Sequence, residues 1–274
     1  TAIENGFDYA VVGAPLIIAD GLRGDSAAPV RIGGRHFEEV GIAREIAAAD
    51  GLVVLTHFKC HELTGFGGAL KNLGMGSAAR EGKLAQHSSA APIVDPSDCA
   101  ACGDCVEACP AAAIEVGAVA VINEEPCIGC GHCIAVCPQG TIKVRWNESA
   151  GRLQEKMVEH FEGAVTGKGG RCVYLTFVTQ VSPACDCYGH NDAPIVPDIG
   201  ILASSDPVAI DQAAADLVNA SEGFTGTALT CGHEPGGDKF RGVHPEIGWE
   251  TQLDYAALRG LGSREYILKN IAER

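Results

Sequence analysis

The spacing of apolar residues predicts two α/β stretches on either side of a cysteine-rich block. In the first stretch, residues 37–49 place apolar side chains at helical intervals, and the continuous apolar run 52–56 predicts a buried strand. Short apolar runs also occur at 9–13 and 16–19, and Gly51 ends the predicted helix. A helix followed by a continuous apolar strand is typical of a sheet covered by helices.

The α/β pattern resumes after the cysteine-rich block. Residues 147–163 have amphipathic helical spacing, whereas 172–178 and 199–203 are rich in apolar residues and predict strands. Asp206 followed by Pro207 predicts the N-cap and first turn of a further helix. Two α/β parts around a block of different composition indicate one domain with an insertion.

Eight of the thirteen cysteines form two copies of one motif. In each copy, three cysteines are separated by two residues each, and a fourth follows after three more residues and precedes a proline. The copies are Cys99, Cys102, Cys105 and Cys109, and Cys127, Cys130, Cys133 and Cys137. This is the spacing of bacterial two-cluster ferredoxins, in which the fourth cysteine binds the other cluster. A structural zinc site, the alternative, uses two pairs of ligands and gives no reason for the doubled pattern.

The motif therefore predicts two [4Fe–4S] clusters with crossed ligation. One cluster is assigned to Cys99, Cys102, Cys105 and Cys137, and the other to Cys127, Cys130, Cys133 and Cys109. Crossed ligation holds the two clusters close together, so an electron can enter at one and leave at the other. We expect the clusters to transfer electrons between the α/β domain and a redox partner protein. The partner would be either a ferredoxin or an oxidoreductase.

The predicted fold class is α/β, with a helix-covered, mostly parallel sheet domain interrupted by a small α+β, two-cluster ferredoxin-like insertion. The predicted division is 1–94 for the first part of the α/β domain, 95–145 for the insertion and 146–274 for the second part. Because the insertion contains all of its own ligands, we expect it to fold as a separate unit.

Composition narrows the choice of partners. The 274 residues carry a formal net charge of −15, which disfavours binding to a nucleic-acid backbone or an anionic membrane. No apolar run is long enough for a membrane-spanning helix, and no signal peptide is evident, so we expect a cytoplasmic protein. The chain opens on Thr1 without a methionine, which suggests a fragment of a longer protein.

Polar residues that follow the predicted strand 52–56 are candidate catalytic groups. His57, Lys59 and His61 lie beyond its carboxyl end, where ligands bind in α/β sheets, and alternation puts them on one side of an extended chain. The glycine-rich loop 65–68 precedes a predicted short helix with Lys71 one turn further on. Its backbone N–H groups, with Lys59 and Lys71, predict a site for a small anionic substrate. The alternative is that these are ordinary loop and turn residues.

Cys185 and Cys187 predict either a third metal or Fe–S centre or a redox dithiol. Cys60, Cys231 or a histidine would have to complete a metal site, and two buried structural cysteines are a further alternative. Asp198, which precedes a predicted strand, is a candidate site acid.

Several strings resemble the iron–sulfur centre proteins of domain-of-unknown-function family 362. They are the segment from His57 to Gly76, Asp20-Gly21-Leu22, Cys185-Asp186-Cys187 and the segment from Ala193 to Asp211. The resemblance covers nearly the whole chain and implies an α/β domain with a ferredoxin insertion, preceded by a region upstream of Thr1.

These observations favour an iron–sulfur oxidoreductase that passes low-potential electrons to a site in the α/β domain. One alternative is a non-enzymatic electron carrier whose α/β part docks to a partner oxidoreductase. A third hypothesis is a non-redox enzyme with structural or regulatory clusters. A buried polar pocket would favour an enzyme over a docking protein.

Overall fold

The computed structural model describes residues 2–88, 91–145 and 147–271. The strands are β1 (Ala27–Arg31), β2 (Glu39–Ala43), β3 (Leu52–His57), β4 (Lys59–His61), β5 (Gly65–Gly67), β6 (Ile93–Val94), β7 (Ile114–Val116), β8 (Ala120–Ile122), β9 (Ile142–Lys143), β10 (Cys172–Val178) and β11 (Gly200–Ser204). The α-helices are α1 (Tyr9–Val12), α2 (Arg44–Ala48), α3 (Ala69–Gly76), α4 (Arg80–His87), α5 (Asp104–Glu107), α6 (His132–Val136), α7 (Ala150–Val165), α8 (Pro207–Ala220), α9 (Lys239–Val243) and α10 (Thr251–Leu258). Thr1 and Trp146, at the start of the chain and at the second predicted domain boundary, lie outside the described residues.

The main sheet has three strands in the order β11-β10-β3. β3 and β10 are parallel, with Leu52 opposite Cys172, whereas β10 and β11 are antiparallel, with Tyr174 opposite Ser204. The α/β class is confirmed, but the prediction of a mostly parallel sheet is wrong because one of the two strand pairs is antiparallel. Helices lie between β3 and β10 in the chain, as a parallel crossover requires, whereas residues 179–199 before β11 contain no helix.

Helices pack on one face of this sheet. α8 contacts β10 and β11, α3 contacts β3, and α7 packs against α3 and α10. In β3, Val54 and Thr56 are buried, whereas Val53 and Leu55 are 70% and 61% exposed. The prediction of a continuously buried strand is therefore wrong. Successive side chains of a strand point to opposite faces, and this strand has only one face in the core.

Residues 37–49 do not form the single predicted helix. They contain β2 followed by the short helix α2. β2 pairs with β1, with Val40 opposite Val30, and Val40 and Ile42 enter the main core. A short apolar run fits both a helical and a strand period, and here pairing with the unpredicted strand β1 decides the outcome.

Residues 92–145, which include the predicted insertion, contain four short strands and an apolar cluster of their own. β6 pairs with β9 and β7 pairs with β8, all antiparallel. The buried members of the cluster are Cys105, Ile114, Ala120, Cys133 and Ile142. Gly103 and Gly131 precede α5 and α6 with φ of 88° and 69°, a left-handed conformation that a side chain would disfavour.

The central helix α7 shows how the larger part is built. Ser149 caps its N-terminus by accepting a hydrogen bond from the Arg152 N–H, and the helix buries Leu153, Met157 and Phe161. Its polar residues face outwards or pair inside the protein, as expected of an amphipathic helix. No helix in the described part of the chain is both long and apolar enough to cross a membrane.

Candidate functional site

The last residue of β3 and the hairpin that follows it hold three of the predicted site residues. β3 ends at His57, and the chain then forms the β4–β5 hairpin with Lys59 opposite Gly67. Lys59 and His61 are only 7% and 3% exposed, whereas the side chain of His57 is 34% exposed. A buried charged group costs free energy unless it is paired, so partners for these side chains are required.

Asp186 is the partner of both His57 and Lys59. Its Oδ2 lies 2.9 Å from His57 Nδ1 and 3.2 Å from Lys59 Nζ. The hydrogen bond to Asp186 raises the pKa of His57. Burial opposes ionisation of Asp186, but the His57 hydrogen bond and the Lys59 charge outweigh it and hold its pKa at about 2. Asp186 is not among the predicted site residues, although its place between two cysteines is a signal.

His61 is held as a neutral imidazole. Its Nδ1 accepts a hydrogen bond from the Leu63 N–H at 3.1 Å, which leaves the proton on Nε2. Burial, followed by the charges of Lys71 and Lys59, lowers the pKa of His61 to about 2. The ring is therefore a neutral polar group beside two lysines.

Lys71, on α3, contacts the Cys-x-Cys segment directly. Its Nζ lies 3.2 Å from Cys185 Sγ, and both side chains are buried. The Tyr188 N–H donates to the Cys185 carbonyl and closes a turn that places Cys187 next to Cys185. Cys187 is an exposed residue, whereas Cys185 is buried.

The two thiols of this turn differ in acidity. Burial opposes ionisation of Cys185, but hydrogen bonds from Cys187 and the Lys71 charge outweigh it and lower the pKa of Cys185. Burial and the hydrogen bond to Cys185 raise the pKa of Cys187 to about 11. Of the two sulfurs, Cys185 is therefore the one that ionises more readily.

The backbone N–H groups at the start of α3 are already occupied. Ala69 N and Leu70 N donate to the two carboxylate oxygens of Asp211, at 2.6 and 2.9 Å. Asp211 is fully buried, and burial raises its pKa to about 7 although both hydrogen bonds oppose the rise. The Ala69 and Leu70 N–H groups are therefore occupied by Asp211, and the anion site expected at loop 65–68, Lys59 and Lys71 stays a prediction.

In the described part of the chain, Cys185 and Cys187 have no third side chain with which to hold a single metal ion, and a third Fe–S centre at this pair stays a prediction. Within residues 2–88, 91–145 and 147–271, no group of three or more His, Cys, Asp or Glu side chains is arranged to hold one metal ion. Cys60 is fully buried and Cys231 is exposed. The Lys71 ammonium next to Cys185 also disfavours a second cation at that sulfur.

The eight motif cysteines line two small enclosed cavities. Cys99, Cys102, Cys105 and Cys137 line one of them. Cys109, Cys127, Cys130 and Cys133 line the other. Each motif thus contributes three cysteines to one cavity and its fourth cysteine to the other.

The donor set and the surroundings of these cavities fit a cubane cluster. Four thiolates around a cubane stand further apart than four ligands around one ion, so the absence of a single-ion site among the described residues is expected. Backbone N–H groups also face the sulfurs, with Ala120 N at 3.4 Å from Cys99 and Ala113 N at 3.3 Å from Cys109. Such hydrogen bonds stabilise the negative charge of bound cluster thiolates.

A groove of about 450 Å³ separates α4 from the second cysteine cavity. Arg80, Lys83 and His87 of α4 line one side, and Gly131 and Ile134 line the other. Burial and then the Lys71 charge lower the pKa of His87. His87 therefore faces the insertion and is also within electrostatic reach of the site at Lys71.

Asp198 lies outside this site. It is exposed and accepts a hydrogen bond from Gln180 N at 2.7 Å, which supports the turn in which Gln180 has a φ of 50°. The structure gives Asp198 this role in a turn and no place beside the candidate catalytic residues. His190 and Asp192, also near the Cys-x-Cys segment, are exposed.

Comparison with known proteins gives one match. Curated proteins yielded no match, and solved structures yielded none either. The model of the family described as Domain of unknown function (DUF362) matches residues 1–216, which is more than half of the chain. The chain therefore belongs to the DUF362 family.

Proposed function

We propose that the protein is an iron–sulfur oxidoreductase that passes low-potential electrons from two [4Fe–4S] clusters to the site around Lys59 and Lys71. The observation that carries this proposal is the crossed grouping of eight cysteines in two adjacent cavities. Because each motif contributes its fourth cysteine to the other site, the two sites are held close together. This arrangement allows electron transfer between two clusters, whereas two independent zinc sites do not require it. When bound, the two clusters would accept and donate single electrons at low potential.

His87 supports a connection between the insertion and the α/β site. The histidine lines the groove shared with Gly131 and Ile134, and the Lys71 charge acts on its ring. One helix, α4, therefore lines the groove beside the insertion and also carries His87 within electrostatic reach of Lys71. This placement supports electron delivery to the Lys71 site better than a wholly separate docking part would.

Buried polar groups favour an enzyme over an electron carrier. Lys59, His61 and Lys71 are at most 9% exposed, and burying cations costs free energy that a surface serving only to dock a partner does not require. A small anionic substrate held by the two lysines would compete with Asp186 for Lys59 and with Cys185 for Lys71, with His61 as a neutral hydrogen-bond donor. Arg80 and Lys83 beside the insertion offer positive charge to an acidic redox partner protein.

The proposal is tested by anaerobic iron and sulfide analysis with EPR of the reduced protein. We expect about eight iron atoms per chain and signals from two interacting [4Fe–4S] clusters. Zinc in place of iron after anaerobic preparation, or a protein that cannot be reduced, would contradict the proposal.

A second experiment separates the enzyme from the carrier. Lys59→Met should abolish binding of small carboxylates or inorganic phosphate, measured by calorimetry, and leave iron content unchanged. Lys143→Met is the matched control, since Lys143 is exposed and lies on the insertion. Equal anion binding by wild-type protein and Lys59→Met would favour the carrier.

A further inference from the structure

The Cys185-Asp186-Cys187 turn has features that cluster-based electron transfer does not use. The two cysteines are held side by side by a turn, and one of them is a buried residue and the other an exposed one. The buried sulfur of Cys185 lies 3.2 Å from the Lys71 ammonium and 3.5 Å from the Cys187 backbone nitrogen. No third metal ligand accompanies the pair in the described part of the chain.

We propose that Cys185 and Cys187 form a thiol–disulfide redox site whose substrate is a disulfide. Cys187 is the sulfur that meets the substrate, because it is the exposed member of the pair. Cys185 is the resolving sulfur, and Lys71 stabilises its thiolate. This inference goes beyond the proposed function, since the reaction needs no cluster.

The reaction balances without a further reagent. Cys187 transfers its proton to the Cys185 thiolate and attacks the substrate disulfide, which forms a mixed disulfide at Cys187 and releases one thiolate. Cys185 then loses that proton to the released thiolate and attacks the Cys187 sulfur, which expels the second thiolate. The two cysteines are oxidised to one disulfide, and the substrate disulfide is reduced to one thiol and one thiolate.

The surroundings of the two sulfurs fit an attacking and a resolving cysteine better than they fit a metal site. A nearby ammonium lowers the free energy of a thiolate, but it repels a metal cation at the same sulfur. The exposed position of Cys187 gives an incoming disulfide access to one sulfur, while the buried position of Cys185 protects the resolving sulfur from other oxidants.

The first test uses the anaerobically prepared holoprotein and oxidised glutathione. After free thiols are alkylated, mass spectrometry should find the 185–187 peptide lighter by two hydrogen atoms and free of alkylation. Cys231→Ser, which removes another exposed cysteine, should behave like the wild type. Persistence of two alkylated thiols at 185 and 187, or iron bound through Cys187, would overturn the proposal.

Two variants test the separate roles. At about pH 9, where Cys187 can ionise without the Cys185 thiolate as base, Cys185→Ala should trap glutathione as a stable mixed disulfide at Cys187, whereas the wild type releases it. Lys71→Met should slow disulfide formation at about pH 7 by roughly fivefold to tenfold and move the rate profile to higher pH, and Lys71→Arg should restore most of the rate. Failure to trap glutathione in Cys185→Ala overturns the proposal even if Lys71→Met does not fold.

Cluster measurements on the same samples keep the two proposals apart. Normal iron content and EPR with an inert 185–187 peptide would overturn the dithiol and leave the proposed electron-transfer function intact. Disulfide formation in a protein without iron–sulfur clusters would support the dithiol and overturn the proposed function.

Discussion

Asp186 controls the protonation of His57 in the folded protein. Because the Asp186 hydrogen bond raises the pKa of His57, Asp186→Asn should lower that pKa, as measured by NMR titration of the ring protons. Because the pKa of His57 is higher in the folded than in the unfolded state, protonation of His57 stabilises the folded protein. This contribution is complete below about pH 6.5, the pKa of an unfolded histidine, and is lost as the pH rises through the pKa of His57 in the folded protein. The loss of stability in Asp186→Asn should therefore be larger at about pH 6 than at about pH 8. Asp192→Asn, an exposed acid of the same loop, should leave the His57 pKa unchanged.

The crossed cysteine grouping gives a second residue-level prediction. Cys109→Ser should damage the cluster assigned to Cys127, Cys130 and Cys133 and spare the one assigned to Cys99, because Cys109 lines the cavity of the other motif. Anaerobic alkylation followed by peptide mapping identifies which cysteines lose protection. Cys137→Ser is the reciprocal control. Protection lost at Cys99 in Cys109→Ser would show that each motif binds its own cluster.

Single residues were predictable from the sequence where their partners are close in the chain. Asp206 caps α8 through N–H groups two and three positions away, as the Asp-Pro pair predicts. Asp211, five residues later, binds N–H groups 142 and 141 positions away, and no local pattern contains that information. The Lys71 contact with Cys185 spans 114 positions and depends equally on the tertiary fold.

At the scale of elements, the start of α3 depends on Asp211. Asp211→Ala would leave the buried N–H groups of Ala69 and Leu70 without acceptors, so we expect the free energy of unfolding to fall by about 3 kcal/mol. Denaturant unfolding measures this change. Asp198→Ala should cost less than about 1 kcal/mol, since Asp198 is exposed. Equal losses in the two variants would contradict this role of Asp211.

Elements were predictable where period, length and boundary signals agreed. β10 occupies the predicted residues 172–178, and α8 begins directly after its predicted cap. Residues 37–49 carry apolar positions that fit two periods, and only the pairing of β2 with β1 selects the strand. The exposed face of β3 could not be predicted from the sequence either, because a continuous apolar run does not identify which of its residues face solvent.

At the scale of the whole molecule, the insertion and the larger part have separate apolar clusters. The division into 1–94, 95–145 and 146–274 stays a prediction from the change in composition. One strand just before residue 95 packs with the cysteine-rich block. β6 (Ile93–Val94) pairs with β9, and Val94 packs against the cluster of the insertion.

The pairing of β6 with β9 leads to a prediction about the isolated insertion. Fragment 92–145, reconstituted anaerobically with iron and sulfide, should fold and bind two clusters, because metal binding supplies folding free energy that roughly 50 residues otherwise lack. Fragment 95–145 has the same eight cysteines but lacks β6, so it should retain less iron and unfold at lower denaturant concentration. Iron analysis and circular dichroism provide the comparison. Equal behaviour of the two fragments would show that β6 is dispensable, and failure of both would show that packing against α4 is required to assemble the insertion.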